Sequence, residues 1–578
     1  MDGDAAWASA GQPAAGWLTR NRRWRAPVLV GMLALVLNLA GNARTGLWDR
    51  DEPRYVVAVR EMRTRGNWIV PTFNGEPRYH KPILVYWLMG LSTAIGGDSP
   101  FAARLVSAMA GSLSCLLVFA LGKRMLGWHG GLLAALVLAA SPIMVAESKL
   151  ATTDATLTLW LIGCQYCLRE LAVRPRAGLA AAFWTCLSLA CLTKGPIGPA
   201  LLLASAALGW WFGWPALDVW KRLSPRWGLL GLLAATLPWY LTVALISRGQ
   251  YLRFAIGTQI VQRLTSGMEE HGAFPGYYAA LSTLAFYPWS ALVPAAAWGA
   301  WTRRKTSPEL GFMLGWMIGP WLLLECLPTR MIHYYLPAYP ACALLIAWMV
   351  KTLADEELGL RRWPLGRLCL GLLGGIGMAV AVGLAAAAVT APGHLRQPLA
   401  VLAVVLSAGT LTAMLWLQRG LTTRAVHGLI VTWGLFLLVA GGWLIPSAET
   451  YRMSRRVGEQ LAACVERTGI EPVLLNYQEP GLIYAVGRPV AAVRDRDGFY
   501  ELLDREGALL SVITPEETTE FAEKYSLKVS VVERLEGFSL TKGRGDALQI
   551  AILRRDPEAV ARGGSVARTA SIQQPLVK

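Results

Sequence analysis

Charge is what this chain has least of. Only 16% of its 578 residues are charged, against 54% hydrophobic. That balance excludes an ordinary soluble domain and matches a polytopic membrane protein. Cysteine is sparse and scattered. Of nine, Cys115, Cys164, Cys167, Cys186, Cys191, Cys326, Cys342 and Cys369 fall in or beside apolar segments, and only Cys464 lies in the polar C-terminal part. A disulfide framework is therefore not expected, and the CxxC spacing of Cys164 and Cys167 falls inside an apolar helical pattern. A nucleotide-binding glycine fingerprint is also missing: Gly543, Arg544 and Gly545 sit in a hairpin loop without the strand-to-helix context such a motif requires. Residues 1–19 show no cleavable signal, being mostly polar and small ahead of Arg20, Arg22, Arg23 and Arg25.

What the chain has in abundance is apolar length. Spans need about 20 apolar residues. The candidates are 26–43, 101–122, 129–147, 154–170, 177–193, 196–214, 227–247, 277–301, 309–327, 334–352, 367–390, 398–417 and 427–446, thirteen in all. The stretch 82–96 is too short to join them and reads as an interfacial or re-entrant helix. Charge supports that count. With the N-terminus inside, every inside connection is basic, from Arg20–Arg25 through Lys123/Arg124 and Arg303/Arg304/Lys305 to Arg419/Arg424. Counting 82–96 as a span would move the later basic loops outside. The net charge of +17 is thus read as topology and as attraction to anionic lipid, with no nucleic-acid partner. The 25 Trp suit interfacial belts.

The expected architecture is a transmembrane domain over 1–446 with an external first loop at 44–100. An external C-terminal domain over 447–556 follows, then a disordered tail at 557–578. In the C-terminal domain, helical patterns near 451–467, 497–505 and 515–525 alternate with apolar runs at 472–475, 508–513, 529–532 and 548–553, which predicts a small α/β fold.

One polar stretch stands out, from WDRDEPRY (48–55) to YHKP (79–82). Ionisable groups are costly beside a bilayer, so the cluster reads as a site at the membrane surface. Asp51 and Pro53 suit a helix start, but a cap explains one acid and not the cluster. Asp154, in ATTDA (151–155), would be an ordinary helix cap by itself. It lies near Glu147 and Lys149 and falls on the same outer face as Asp51, so two carboxylates from separate loops are placed to orient an acceptor or act as a base. Arg54, Lys81, Lys194, Arg330 and Tyr334 spread over the outer loops; singly they anchor to lipid phosphate, and together they form a receptor for an anionic headgroup. No cofactor is required. The one metal reading is a divalent ion such as zinc between His80 and His271, a pair without ligand spacing for which a solvated loop is the simpler account.

The segments WDRDEPRY (48–55), GNWIVP (66–71), YHKPILVYW (79–87), ATTDA (151–155), TKGP (193–196) and HYYLP (333–337) resemble bacterial glycosyltransferases of the GT-C fold. That superfamily includes the protein O-mannosyltransferases, and the nearest resemblance is to the undecaprenyl phosphate-aminoarabinose:lipid A transferases. It covers roughly residues 26–446. The resemblance implies an enzyme of the bacterial inner membrane that takes a sugar from an undecaprenyl phosphate carrier on the periplasmic side and places it on lipid A; a monomer is expected. It maps the principal catalytic acid onto Asp51 and a second loop Asp onto Asp154, with the carrier phosphate held by Arg54, Lys81 and Tyr334. His80 departs from the Glu that some relatives carry before Lys-Pro. The alternatives are a related transferase acting on protein or core saccharide and, from another class, a polyprenyl-lipid transporter. A transporter should show mid-membrane charges and repeated halves, whereas here the charges gather on one face without a duplicated hydropathy pattern.

Overall fold

A computed structural model describes residues 17–48, 51–262, 274–475, 477–493, 496–523, 527–539 and 544–556. His271 and the 557–578 segment lie outside the described residues. Among the described residues the chain up to Tyr451 is helical apart from turns and one short β-hairpin, and helices carry each of the thirteen apolar segments. Among the described residues, seven helices are long and apolar enough to cross a membrane by themselves, and Arg25–Leu39, Leu84–Gly96 and Ile197–Trp211 are shorter apolar helices.

Local chemistry sets the breaks. Pro100–Ala139 is two antiparallel arms joined at Gly127, whose φ of 81° a side chain would oppose. The arms then pack closely: a Cβ on Gly131 would stand 2.4 Å from the Lys123 amide nitrogen. The second arm stops short of the expected 147. Pro142 disfavours helix at Ser141, so the chain breaks there and restarts as the short Pro142–Ser148 helix. The expected 277–301 span is likewise split, into Tyr277–Ala285 and Val293–Arg303, around Tyr287–Pro288.

The first loop carries two helices. Glu52–Arg65 buries Tyr55, Val56, Val59 and Met62. A hairpin of β1 (Thr72–Phe73) and β2 (Glu76–Pro77) follows, held by Glu61, which accepts hydrogen bonds from the Thr72 hydroxyl and the Gly75 amide. The Leu84–Gly96 helix has 13 residues, about 20 Å at 1.5 Å per residue, short of the ~30 Å hydrocarbon core. Leu84, Val85, Tyr86 and Met89 are buried while Trp87, Leu91 and Ile95 face outward, as suits a helix lying along a membrane surface.

After Tyr451 the chain builds a five-stranded sheet in the order β4 (Ala491–Ala492), β3 (Pro472–Leu474), β5 (Leu509–Ile513), β7 (Arg544–Arg555), β6 (Leu527–Ser539). β3 runs parallel to both its neighbours, and β7 is antiparallel to β5 and β6. All five residues of β5 are buried, as helices on the sheet's faces require. This unit grips the first loop. Asn74 and Val490 exchange hydrogen bonds of 2.8 and 2.7 Å, and Arg60 donates to the Tyr484 carbonyl at 3.0 Å with its guanidinium over that ring. Arg452, just before the Met453–Thr468 helix, donates to the Gly46 and Leu47 carbonyls and pairs with Glu449 at 2.8 Å.

Candidate active site

The site is framed by a buried ion pair. Glu52 and Arg104 are each 1% exposed, joined by Nε to Oε1 at 2.8 Å and Nη2 to Oε2 at 2.6 Å. The carboxylate also accepts from the Trp48 and Ala151 amides, both at 2.6 Å. Arg104 spends its remaining donors on Thr45 and the Gly46 carbonyl. One carboxylate therefore ties the first loop, the Pro100–Ala139 helix and the ATTDA segment together. The charged partners make these strong hydrogen bonds, and no lone pair is left over for a ligand. Glu52 is structural. Asp51, its neighbour, is exposed and makes no side-chain cap hydrogen bond, so its carboxylate faces the cavity rather than its own helix.

That cavity has a volume of about 450 Å³. Asp51, Arg54 and His80 line it, together with Lys81, Asp154, Lys194 and Tyr334. Seven of the nine residues singled out from the sequence thus meet in one place, drawn from five separate segments. Asp154 is the first residue of its helix, after Thr153 at the cap position. Its partner is Lys194, 2.5 Å away, with both side chains 9% exposed. Lys194 closes the Ala177–Lys194 helix and sets its ammonium 4.7 Å from the centre of the Tyr334 ring. It therefore stands between two helices, at the C-terminus of one and just ahead of the Ile197–Trp211 helix, and its ammonium is paired with Asp154.

A second cavity of about 650 Å³ adjoins the first and is walled by Leu157, Ile197, Leu201, Leu323 and Leu324. The two share His80, Lys81, Asp154, Lys194 and Tyr334. An apolar groove thus meets a charged chamber along a seam that carries Lys81 and the Lys194–Asp154 pair.

One expected site residue is elsewhere. Arg330 lines neither cavity: it pairs with Glu325 at 3.1 Å and donates to the Glu325, Leu327 and Phe274 carbonyls, pinning its own loop. His80, in the cavity wall, packs against Phe254 with ring centres 4.9 Å apart and the planes tilted by 59°. Its proposed metal partner His271 is outside the described residues, and among those described no three His, Cys, Asp or Glu side chains are placed to hold a metal.

The structure adds groups to the cavity wall. Glu147 is 7% exposed with His333 Nδ1 at 3.9 Å; burial first, and then the charge of Asp154, push its carboxyl up to about 8. Lys149 donates to the Leu37, Asn38 and Ala40 carbonyls at the end of the first helix, and burial followed by Arg104 lowers its ammonium to about 8. Arg104 had a signal in the sequence, since a lone arginine at the head of an apolar helix needs a partner.

Comparison with known proteins agrees with this arrangement. Residues 80–242 match a family model described as dolichyl-phosphate-mannose-protein mannosyltransferase. A Pectobacterium carotovorum protein named undecaprenyl phosphate-alpha-4-amino-4-deoxy-L-arabinose arabinosyl transferase is 30% identical over 458 residues, 76% of this chain and 74% of that one. One of the same name from Edwardsiella ictaluri is 32% identical over 353 residues, covering 59% and 61%. The fold is that of ArnT from Cupriavidus metallidurans bound to undecaprenyl phosphate, with a TM-score of 0.73 at 21% identity over 93% of this chain and 98% of that one. With GT-C architecture, a charged chamber beside an apolar groove, and these relatives, the chain belongs to the undecaprenyl phosphate-aminoarabinose arabinosyl transferase family.

Proposed function

We propose that this protein transfers 4-amino-4-deoxy-L-arabinose from undecaprenyl phosphate to a phosphate of lipid A on the periplasmic face of the bacterial inner membrane. The observation that carries the reading is the seam between the two cavities. A polyprenyl chain fits the apolar groove, and Lys81, Lys194 and Tyr334 then meet its phosphate as the chain ends at the polar chamber. The sugar lies beyond, in the chamber, against Asp51 and Asp154.

The transfer balances without a proton. An oxygen of the acceptor phosphate forms a bond to the anomeric carbon from the face opposite the carrier. The bond from that carbon to the carrier oxygen breaks, its electron pair stays on undecaprenyl phosphate, and the anomeric centre inverts. The acceptor oxygen is already anionic near neutral pH, since the second phosphate pKa is about 6. A strong base is therefore unnecessary. Asp51 acts by stabilising the positive charge that builds on the sugar ring, and the seam cations stabilise the leaving phosphate. Mass spectrometry of lipid A from cells with and without the protein tests this. An aminoarabinose increment is expected only with it, and an unchanged lipid A overturns the reading.

For topology, the thirteen-span arrangement with the N-terminus inside is supported by the shortness of Leu84–Gly96 and by the basic inside loops. It puts the cavities and the C-terminal sheet outside. A cysteine introduced at residue 500 is expected to react with an impermeant thiol reagent added to intact spheroplasts; labelling only after the membrane is opened would defeat the arrangement.

A further inference from the structure

The cations of the polar chamber are accounted for unequally. Arg104 is matched by Glu52, Lys149 by three carbonyls and Lys194 by Asp154. Arg78 differs. It is 8% exposed yet lines the chamber, and among the described residues its side chain makes one hydrogen bond, from Nε to the Tyr86 hydroxyl at 3.2 Å. Its Cζ lies 5.4 Å from the centre of the Tyr55 ring. Asp51 acts on it electrostatically without an ion pair. The guanidinium is thus held at Nε by Tyr86 and across its face by Tyr55, while Nη1 and Nη2, with their four N–H donors, have no hydrogen-bond partner among the described residues and are left for the chamber.

Position matters as much as valence. The β1–β2 hairpin holds Arg78, whose amide donates to the Pro71 carbonyl at 2.8 Å. It lines the polar chamber but not the apolar groove, unlike Lys81, Lys194 and Tyr334. A buried guanidinium with free donors, held rigid and away from the groove, is built for an anion that does not arrive on the carrier lipid.

We propose that Arg78 anchors a second anion subsite, which receives the phosphate monoester of the acceptor and is separate from the carrier-phosphate subsite at Lys81, Lys194 and Tyr334. The proposal rests on the transfer reaction described above. That reaction needs two phosphates in one chamber, one attacking and one leaving. The attacking group brings about −1.5 to −2 charges of its own, so a dedicated cation on its side of the sugar offsets the repulsion.

The test uses the full-length protein in lipid nanodiscs and three probes: lipid A bearing its phosphates, the same lipid A dephosphorylated, and undecaprenyl phosphate. Wild type should bind phosphorylated lipid A about tenfold more tightly than the dephosphorylated form. Arg78→Gln should erase that preference while holding undecaprenyl phosphate affinity within about twofold. Lys81→Gln should show the reverse. Arg78→Lys, which keeps the charge without the fork, should retain part of the preference, and it decides the matter if the Gln variant does not fold. Loss of carrier binding in the Arg78 variants to the extent seen in Lys81→Gln would overturn the proposal, as would a preference left intact. In transfer assays the same variant should raise the acceptor KM with kcat little changed; a fall in kcat at unchanged KM would mark Arg78 as structural. If wild type binds lipid A with this discrimination but transfers nothing to it, the reaction assignment fails and the subsite stands.

Discussion

Asp51→Asn lowers the rate of sugar transfer about a thousandfold, the scale of removing one preorganised electrostatic partner of a transition state. The folded state and the affinity for undecaprenyl phosphate stay as they were. The two halves of that expectation come from one structural fact. The Asp51 carboxylate makes no cap hydrogen bond and is exposed to the chamber, so asparagine removes no structural contact. What it removes is the negative charge that Asp51 presents to the chamber. Single-turnover transfer measured next to undecaprenyl phosphate binding separates these effects. A rate within tenfold of wild type would take Asp51 out of the chemistry. A parallel loss of carrier binding would move it to the phosphate seam.

The second large effect falls on stability. Arg104→Ala leaves Glu52 buried at 1% exposure without its counter-charge and strips donors from Thr45 and Gly46. Breaking a buried pair from one side costs about 3–5 kcal/mol. The variant should therefore unfold at markedly lower temperature in detergent and lose transfer with it. The informative partner is Glu52→Leu combined with Arg104→Met. Apolar replacement of both members is often neutral or better for stability, so unfolding should recover much of the loss. Transfer should not, because the Trp48 and Ala151 amides still lack the carboxylate that sets the Asp51 and Asp154 segments in register. Full recovery of both properties would show that Glu52 holds nothing in place for the reaction.

These outcomes also mark where the sequence could be read and where it could not. Asp51 and Asp154 were visible because acids are rare in an apolar chain and both fall beside predicted helix starts on one side of the membrane. The Leu84–Gly96 helix was visible as a short apolar run bounded by Pro82 and the turn at 96–100. The breaks were harder. Gly127 looks like any glycine in an apolar run until its positive φ is known, and Pro142 ends one helix only by beginning another. Glu52 and Asp51 are adjacent letters with opposite fates, decided by Arg104, 52 residues away. Arg330 and Arg78 make the same point in reverse. Both are loop arginines, but nearby carbonyls and Glu325 consume the donors of Arg330, whereas Arg78 lies over the Tyr55 ring and gives only its Nε–H to Tyr86. Burial and donor count separate them, and neither is written in a local pattern.

The most direct measurement of the central claim is reconstituted transfer, with purified protein, undecaprenyl phosphate-linked aminoarabinose and lipid A, read by tandem mass spectrometry for the atom that receives the sugar. The account predicts aminoarabinose on a lipid A phosphate, with the anomeric centre inverted and undecaprenyl phosphate released in equal amount. Sugar on a hydroxyl, or retained configuration, would contradict it.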